Sequence, residues 1–138
     1  MTNDLTDKYR LGIDPELGDD IDLRPSAYVA YRIDPQERPA NAMLDLWFHN
    51  GNQRAIAYTH LYAIEFEPSQ GMRLSFSEHL VTIRGYRLNE LYRYLKRQRI
   101  AFIWEATPPE KLLAQSQPCV TAIVVKPRFE NPSSLPPE

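Results

Sequence analysis

The chain has 138 residues, of which 43% are apolar and 25% are charged, and its net charge is −2. This size and composition are typical of one globular domain that folds without a disulfide or a metal ion. No apolar run approaches the roughly 20 residues that cross a bilayer, which excludes a protein with membrane-spanning helices. The polar N-terminus lacks the basic and apolar regions of a secretory signal, so we expect a cytoplasmic protein without membrane contact.

Charge is distributed unevenly along the chain. Residues 1–22 carry a net charge of −5, whereas residues 84–99 carry +5. Because residues 1–24 contain few apolar groups and no sustained period, we predict an acidic, mobile N-terminal arm there. Residues 127–138 are rich in proline and serine, which predicts a disordered tail. The region between them, residues 25–126, is expected to form a single α+β domain.

Period-two alternation of apolar and polar residues dominates the first half of the domain. Residues 27–33 are typical of a strand, and residues 44–84 predict a five-stranded antiparallel meander of hairpins. The first hairpin turns at the sequence Asn-Gly-Asn of residues 50–52. A three-residue loop there places Leu46 opposite Ile56 and keeps one face apolar, whereas a two-residue loop mixes the faces, so we favour the longer loop.

The segment after the meander has helical periodicity. Leu88, Leu91, Tyr92 and Leu95 recur at i, i+3, i+4 and i+7, which predicts an amphipathic helix of about three turns. We expect this principal helix to pack on the apolar face of the sheet. Residues 100–105 predict another strand.

Two further elements are expected near the C-terminus. Thr107, followed by two prolines and a glutamate, is typical of a helix start, and this short helix should end near Ser116. Residues 119–125 form a strand that is apolar on both faces. Such a strand lies centrally in a covered sheet or in a subunit contact. The fold class is therefore α+β with a mainly antiparallel sheet, and a closed, barrel-like sheet or a homodimer would cover this strand.

Motifs for chemistry are absent from the sequence. A single cysteine, Cys119, excludes an intramolecular disulfide and a Cys-rich zinc site. The three histidines show no metal-ligand spacing, and neither a serine-nucleophile motif nor a glycine-rich phosphate loop occurs. We therefore predict no metal ion, no cofactor and no catalytic residue.

The basic segment is the strongest candidate for a binding site. Tyrosines are interleaved with its cations, and together they could contact a polyanion or an acidic protein. The alternative is an ordinary solvated helix face, because cations in a last turn also complement the helix dipole. The candidate binding residues are Arg84, Arg87, Arg93, Lys96 and Arg97.

Trp47 is a second candidate for a binding contact. It alternates with Leu46 and falls on the polar face of its strand, where an exposed aromatic residue marks a contact surface. The alternative is that residues 27–33 or the N-terminal arm pack over it.

Three functions are compatible with these patterns. We favour a small binding or regulatory protein that acts through surface contacts and forms a homodimer. The alternative is a nucleic-acid-associated protein that uses the basic segment. A third hypothesis is an enzyme whose site is assembled from dispersed residues such as His49, His60 and Glu65.

Overall fold

The computed structural model describes residues 25, 27–108 and 116–128. The predicted arm of residues 1–24, most of the tail, and residues 109–115 of the predicted C-terminal helix lie outside the described residues. Among the described residues, two complete helices lie between strands: a short 3-10 helix over Tyr58–His60, and α1 over Asn89–Leu95. The strands are β1 (Tyr31–Ile33), β2 (Met43–Trp47), β3 (Gln53–Ala57), β4 (Leu61–Glu67), β5 (Gly71–Phe76), β6 (His79–Tyr86), β7 (Ile100–Trp104) and β8 (Cys119–Pro127).

The described strands form two four-stranded sheets. Sheet I has the order β1-β7-β2-β3, and sheet II has the order β4-β5-β6-β8. Only the pairing of β2 with β7 is parallel among these strand pairs; the other pairings are antiparallel. The predicted α+β class with mainly antiparallel strands is confirmed. The barrel-like alternative is not supported, because neither sheet of the described strands closes on itself.

The hairpins of the predicted meander pair as expected, but the meander is not continuous. The chain leaves sheet I after β3 and enters sheet II at β4. Tyr58 lies at this crossing and is fully buried. Its hydroxyl donates a hydrogen bond to the carbonyl oxygen of Ile100 at 2.6 Å, and its backbone N–H donates to Ala42 at 3.1 Å. A buried tyrosine hydroxyl needs such a partner, and these bonds hold Tyr58 at the point where the chain leaves sheet I.

The β2–β3 register differs from the predicted one by two residues. Leu44, and not Leu46, lies opposite Ile56. The loop has three residues as expected, but Phe48 N–H bonds to Asn52 O at 2.8 Å, so the loop spans 49–51. Gly51, with φ +93°, takes the left-handed conformation that closes this loop. Glycine adopts this conformation without steric cost, and a shift of two residues preserves the apolar face.

One hydrophobic core serves both sheets. Leu44 and Leu46 of sheet I and Leu74 and Phe76 of sheet II are fully buried in the same cluster. The helix adds Leu91, together with Leu88 and Leu95, as its predicted apolar face requires. The helix has two turns instead of the expected three, because the chain reaches a left-handed φ of +58° three residues after its end, at Gln98.

The last strand lies at an edge of sheet II. β8 pairs with β6 along its length, and a single parallel bridge from Glu105 to Val120 connects its start to the end of β7. Gly85 permits the close approach of β6 and β8, since a Cβ atom there would collide with the carbonyl oxygen of Cys119. Among the described strands β8 therefore lies at an edge and not at the expected central position, although its inner residues are buried.

Candidate functional site

The five cations of the predicted binding site are all exposed, but they do not form one group. Arg84 belongs to β6, and Arg87 lies between β6 and α1. Arg93 belongs to α1, whereas Lys96 and Arg97 follow it directly. Arg93, Lys96 and Arg97 therefore lie in or directly after α1, whereas Arg84 lies on sheet II.

A tyrosine ring organises the cations around α1. The guanidinium carbons of Arg93, Arg97 and Arg99 lie 5.7, 5.8 and 5.9 Å from the ring centroid of Tyr94. These distances are within the range of cation–π interactions. Arg99 was not among the predicted binding residues, and its Nε also donates to the carbonyl oxygen of Asp34 at 2.7 Å. This hydrogen bond holds the Arg99 side chain in place at one side of the three arginines.

Lys96 extends the positive surface to a second tyrosine. Its ammonium nitrogen lies 4.5 Å from the ring centroid of Tyr92, whose ring also contacts Phe66 of β4 at 5.3 Å. The tyrosine thus has one side in the core and offers the other to a cation. We call the resulting patch the cationic surface; it comprises Arg93, Lys96, Arg97 and Arg99 with Tyr92 and Tyr94.

Negative charge next to the cationic surface is scarce. Within the described residues, no carboxylate oxygen lies within 4.0 Å of Arg93, Lys96 or Arg97. Glu90 lies on the same helix, but its carboxylate accepts a hydrogen bond from the hydroxyl of Tyr31 at 2.8 Å. Burial and this carboxylate together raise the pKa of Tyr31. The cationic surface therefore keeps an excess of positive charge: Glu90 is the single acid of α1, and no ion pair within the described residues engages Arg93, Lys96 or Arg97.

Arg84 is separate from the cationic surface. It donates to the carbonyl oxygen of Gln70 at 3.3 Å and lines a hollow on the outer face of sheet II with Glu65, Glu67 and Arg73. Glu65 lies opposite Arg73, and their side chains are 2.7 Å apart. This hollow contains both signs of charge, as an ordinary solvated sheet surface does.

Trp47 is buried, with 7% of its surface exposed. Its ring stacks on Phe102 at a centroid distance of 3.9 Å and meets Trp104 edge-on at 5.5 Å. Tyr28 contacts Trp104 at 5.3 Å, so the segment before β1 also reaches this group. The predicted exposed contact at Trp47 is therefore wrong, because the side chain is buried. The rings that stack on Trp47 belong to β7 and not to residues 27–33, which were the expected cover.

The dispersed residues of the enzyme hypothesis are not brought together. His49 lies in the β2–β3 turn at the edge of sheet I. Nδ1 of His60 lies 3.2 Å from the hydroxyl of Ser77, and Glu65 pairs with Arg73 on sheet II. No group of three or more His, Cys, Asp or Glu residues in the described part of the chain could hold a metal ion.

His49 instead has a partner that sequence patterns did not suggest. The carboxylate of Glu105, only 8% exposed, accepts hydrogen bonds from the backbone N–H and Nδ1 of His49, both at 2.9 Å. Its other oxygen accepts the backbone N–H of Ile123 at 3.1 Å. Burial raises the pKa of Glu105, but these three hydrogen bonds outweigh it and hold the pKa below its ordinary value.

One local signal could have drawn attention to Glu105. It ends the apolar run Ile100–Trp104, and a carboxylate that directly follows a buried strand needs a partner. That partner lies 56 residues away in the sequence, so no spacing rule identifies it.

None of the helices in the described residues is long and apolar enough to span a bilayer. Comparisons with protein-family models, with curated protein sequences and with solved structures found no match for this chain.

Proposed function

We propose that this protein is a small, non-catalytic binding protein that recognises an acidic segment of a partner protein through its cationic surface. The observation that carries the proposal is the convergence of Arg93, Arg97 and Arg99 on the ring of Tyr94, without a described carboxylate near Arg93 or Arg97. Like charges held this closely repel each other, and a bound carboxylate relieves the repulsion.

The geometry favours an acidic protein over a single-stranded nucleic acid. Cations lie over the rings of Tyr92 and Tyr94, where they would compete with a base for the ring. Carboxylates need only the guanidinium and ammonium groups, which remain accessible. Nucleic-acid association is the second candidate, and it is supported by Tyr86, which is 40% exposed at the end of β6 before α1.

Binding should be measured by fluorescence polarisation with a labelled glutamate-rich peptide and a labelled single-stranded DNA of equal charge. Because the contact is electrostatic and exposed, affinity for the peptide should fall about a hundredfold between about 50 and 200 mM salt. The variant Arg93→Glu/Arg97→Glu should abolish binding.

The matched control reverses two exposed cations elsewhere, Arg32 on β1 and Arg54 on β3. Arg32→Glu/Arg54→Glu changes the net charge equally and should retain most of the affinity. Equal loss in both double variants would mean that net charge, and not the cationic surface, governs binding. Tighter binding of the DNA than of the peptide would favour the second candidate.

The proposal includes a homodimer in the cytoplasm. Its support is β8, which lies at an edge of sheet II and exposes 42% of Val124. The backbone groups of Val120 and Ile123 are already bonded to Tyr28, Ala106 and Glu105. Antiparallel pairing of the ends of two β8 strands, beyond Ile123, would extend sheet II across both subunits. The sequence contains a single cysteine, Cys119, and therefore no intramolecular disulfide, which suits a reducing compartment.

A further inference from the structure

A cleft of about 490 Å³ opens between the β2–β3 turn and β8. Its volume lies within the range of small-molecule sites, which is roughly 300–1,000 Å³. Residues of both sheets line it, including His49 of the turn, Arg54 of β3 and Ile123 of β8. None of these residues belongs to the cationic surface.

The imidazole of His49 is held in place by Glu105 and is accessible from the cleft. Nδ1 is engaged by the buried carboxylate of Glu105 at 2.9 Å, which leaves Nε2 as the ring nitrogen that can contact a bound molecule. Half of the His49 side chain, 52%, is exposed. Both oxygens of Glu105 already accept hydrogen bonds from His49 and Ile123, so the carboxylate positions the imidazole and is not itself a ligand group.

Arg54 adds a positive charge to the same cleft. Its side chain is exposed and makes no hydrogen bond or ion pair with the described residues. Asn50 supplies another donor, because its Oδ1 accepts the backbone N–H of Asn52 at 3.0 Å and its amide NH₂ group remains. The donors of the cleft therefore come from the turn and from the strand that follows it.

The cleft also has an apolar part. Phe48, Ile123 and Val125 line it beside the polar groups. A ligand that uses the whole cleft therefore has an anionic end for the donors and a carbon skeleton for the apolar side chains.

We propose that this cleft binds a small phosphate monoester with an apolar carbon skeleton. The fork of Arg54 and Nε2 of His49 bind the phosphate, and the apolar side chains contact the skeleton. Three terminal oxygens of a phosphate monoester accept more hydrogen bonds than the two of a carboxylate, which matches the donors of Arg54, His49 and Asn50.

The test is calorimetric titration of the full chain with phenyl phosphate, inorganic phosphate and benzoate. Phenyl phosphate should bind more tightly than either of the others, since it alone has both the phosphate and the apolar ring. Arg54→Ala and His49→Gln should each weaken its binding at least tenfold. The control Arg32→Ala removes an exposed arginine from sheet I outside the cleft and should leave the affinity unchanged.

Unchanged affinity in Arg54→Ala would overturn the proposal, as would tighter binding of benzoate than of phenyl phosphate. Arg54 is exposed, so the variant should keep its thermal unfolding midpoint, and a loss of binding then reports the contact itself. The inference is independent of the acidic-partner function. Arg93→Glu/Arg97→Glu should leave phenyl phosphate binding intact, and Arg54→Ala should leave peptide binding intact.

Discussion

A single oxygen of Glu105 accepts two hydrogen bonds from His49, one from its backbone N–H and one from Nδ1, both at 2.9 Å. The second oxygen accepts the backbone N–H of Ile123 in β8. Glu105 follows β7 of sheet I, so this carboxylate connects the β2–β3 turn with sheet II. A buried charge is tolerated only when hydrogen bonds replace its water, and here three donors do so.

We expect Glu105→Gln to lower the free energy of unfolding by about 2 kcal/mol, because an amide loses the charge-assisted hydrogen bonds and brings a donor toward existing donors. Urea denaturation at neutral pH measures the loss. Glu65→Gln is the matched control, since its ion pair with Arg73 is exposed and should contribute less than about 1 kcal/mol. Equal effects of the two substitutions would contradict the connecting role of Glu105.

Acid should weaken the protein through the same carboxylate. The pKa of Glu105 is lowered in the folded state, so the unfolded chain binds its proton more readily. Its contribution to stability is present above the unfolded pKa, which is about 4.3, and is lost as the pH falls through the lower, folded pKa. Denaturation midpoints measured from pH 6 down to about pH 3 should therefore fall more steeply for the native chain than for Glu105→Gln. An equal pH dependence of the two proteins would show that another group controls the loss of stability in acid.

Leu91→Ala should destabilise the protein by about 2–5 kcal/mol, because it opens a cavity between α1 and the sheets. Leu91 is fully buried in the shared core. Thermal or urea unfolding gives the change, and Asn89→Ala, at an exposed position of the same helix, should shift stability by less than about 0.5 kcal/mol. A loss below about 0.5 kcal/mol for Leu91→Ala would mean that the helix does not cover this face.

The opposite charges of residues 1–22 and residues 84–99 predict a competition. A tethered acidic segment has a high effective concentration near the cationic surface, so it should compete with an external anion. We expect deletion of residues 1–22 to raise heparin affinity at low salt and to leave the unfolding midpoint nearly unchanged. Heparin titrations over increasing salt measure this. Unchanged affinity at every salt concentration would exclude the competition.

Light scattering tests the proposed homodimer. At micromolar concentration the particle mass should be twice the chain mass of 16.1 kDa. Val124→Lys places a charge on the exposed edge strand β8 and should reduce the mass to that of one chain, whereas Thr82→Lys, on the neighbouring strand, should not. A native chain that scatters as a monomer would refute the dimer.

The sequence by itself determined the elements that depend on local patterns. Alternation predicts the strands that bury Leu74 and Phe76, and helical spacing predicts the face of Leu88, Leu91 and Leu95. Turn chemistry predicts the hairpins, since a strand pair closed by a short loop involves only neighbouring residues. The spacing of the charged residues predicts the exposed face of the helix for the same reason.

Only the tertiary structure decided how the strands divide into two sheets and which polar groups meet. The change of sheet depends on Tyr58 and Ile100, which are 42 residues apart. The partner of His49 is 56 residues away, and the rings that bury Trp47 belong to β7, which pairs with β2 in parallel. These contacts form only when segments distant in the sequence pack around one core, because each buried polar atom needs a hydrogen-bond partner. A pattern within one segment contains no information about which distant segment supplies that partner.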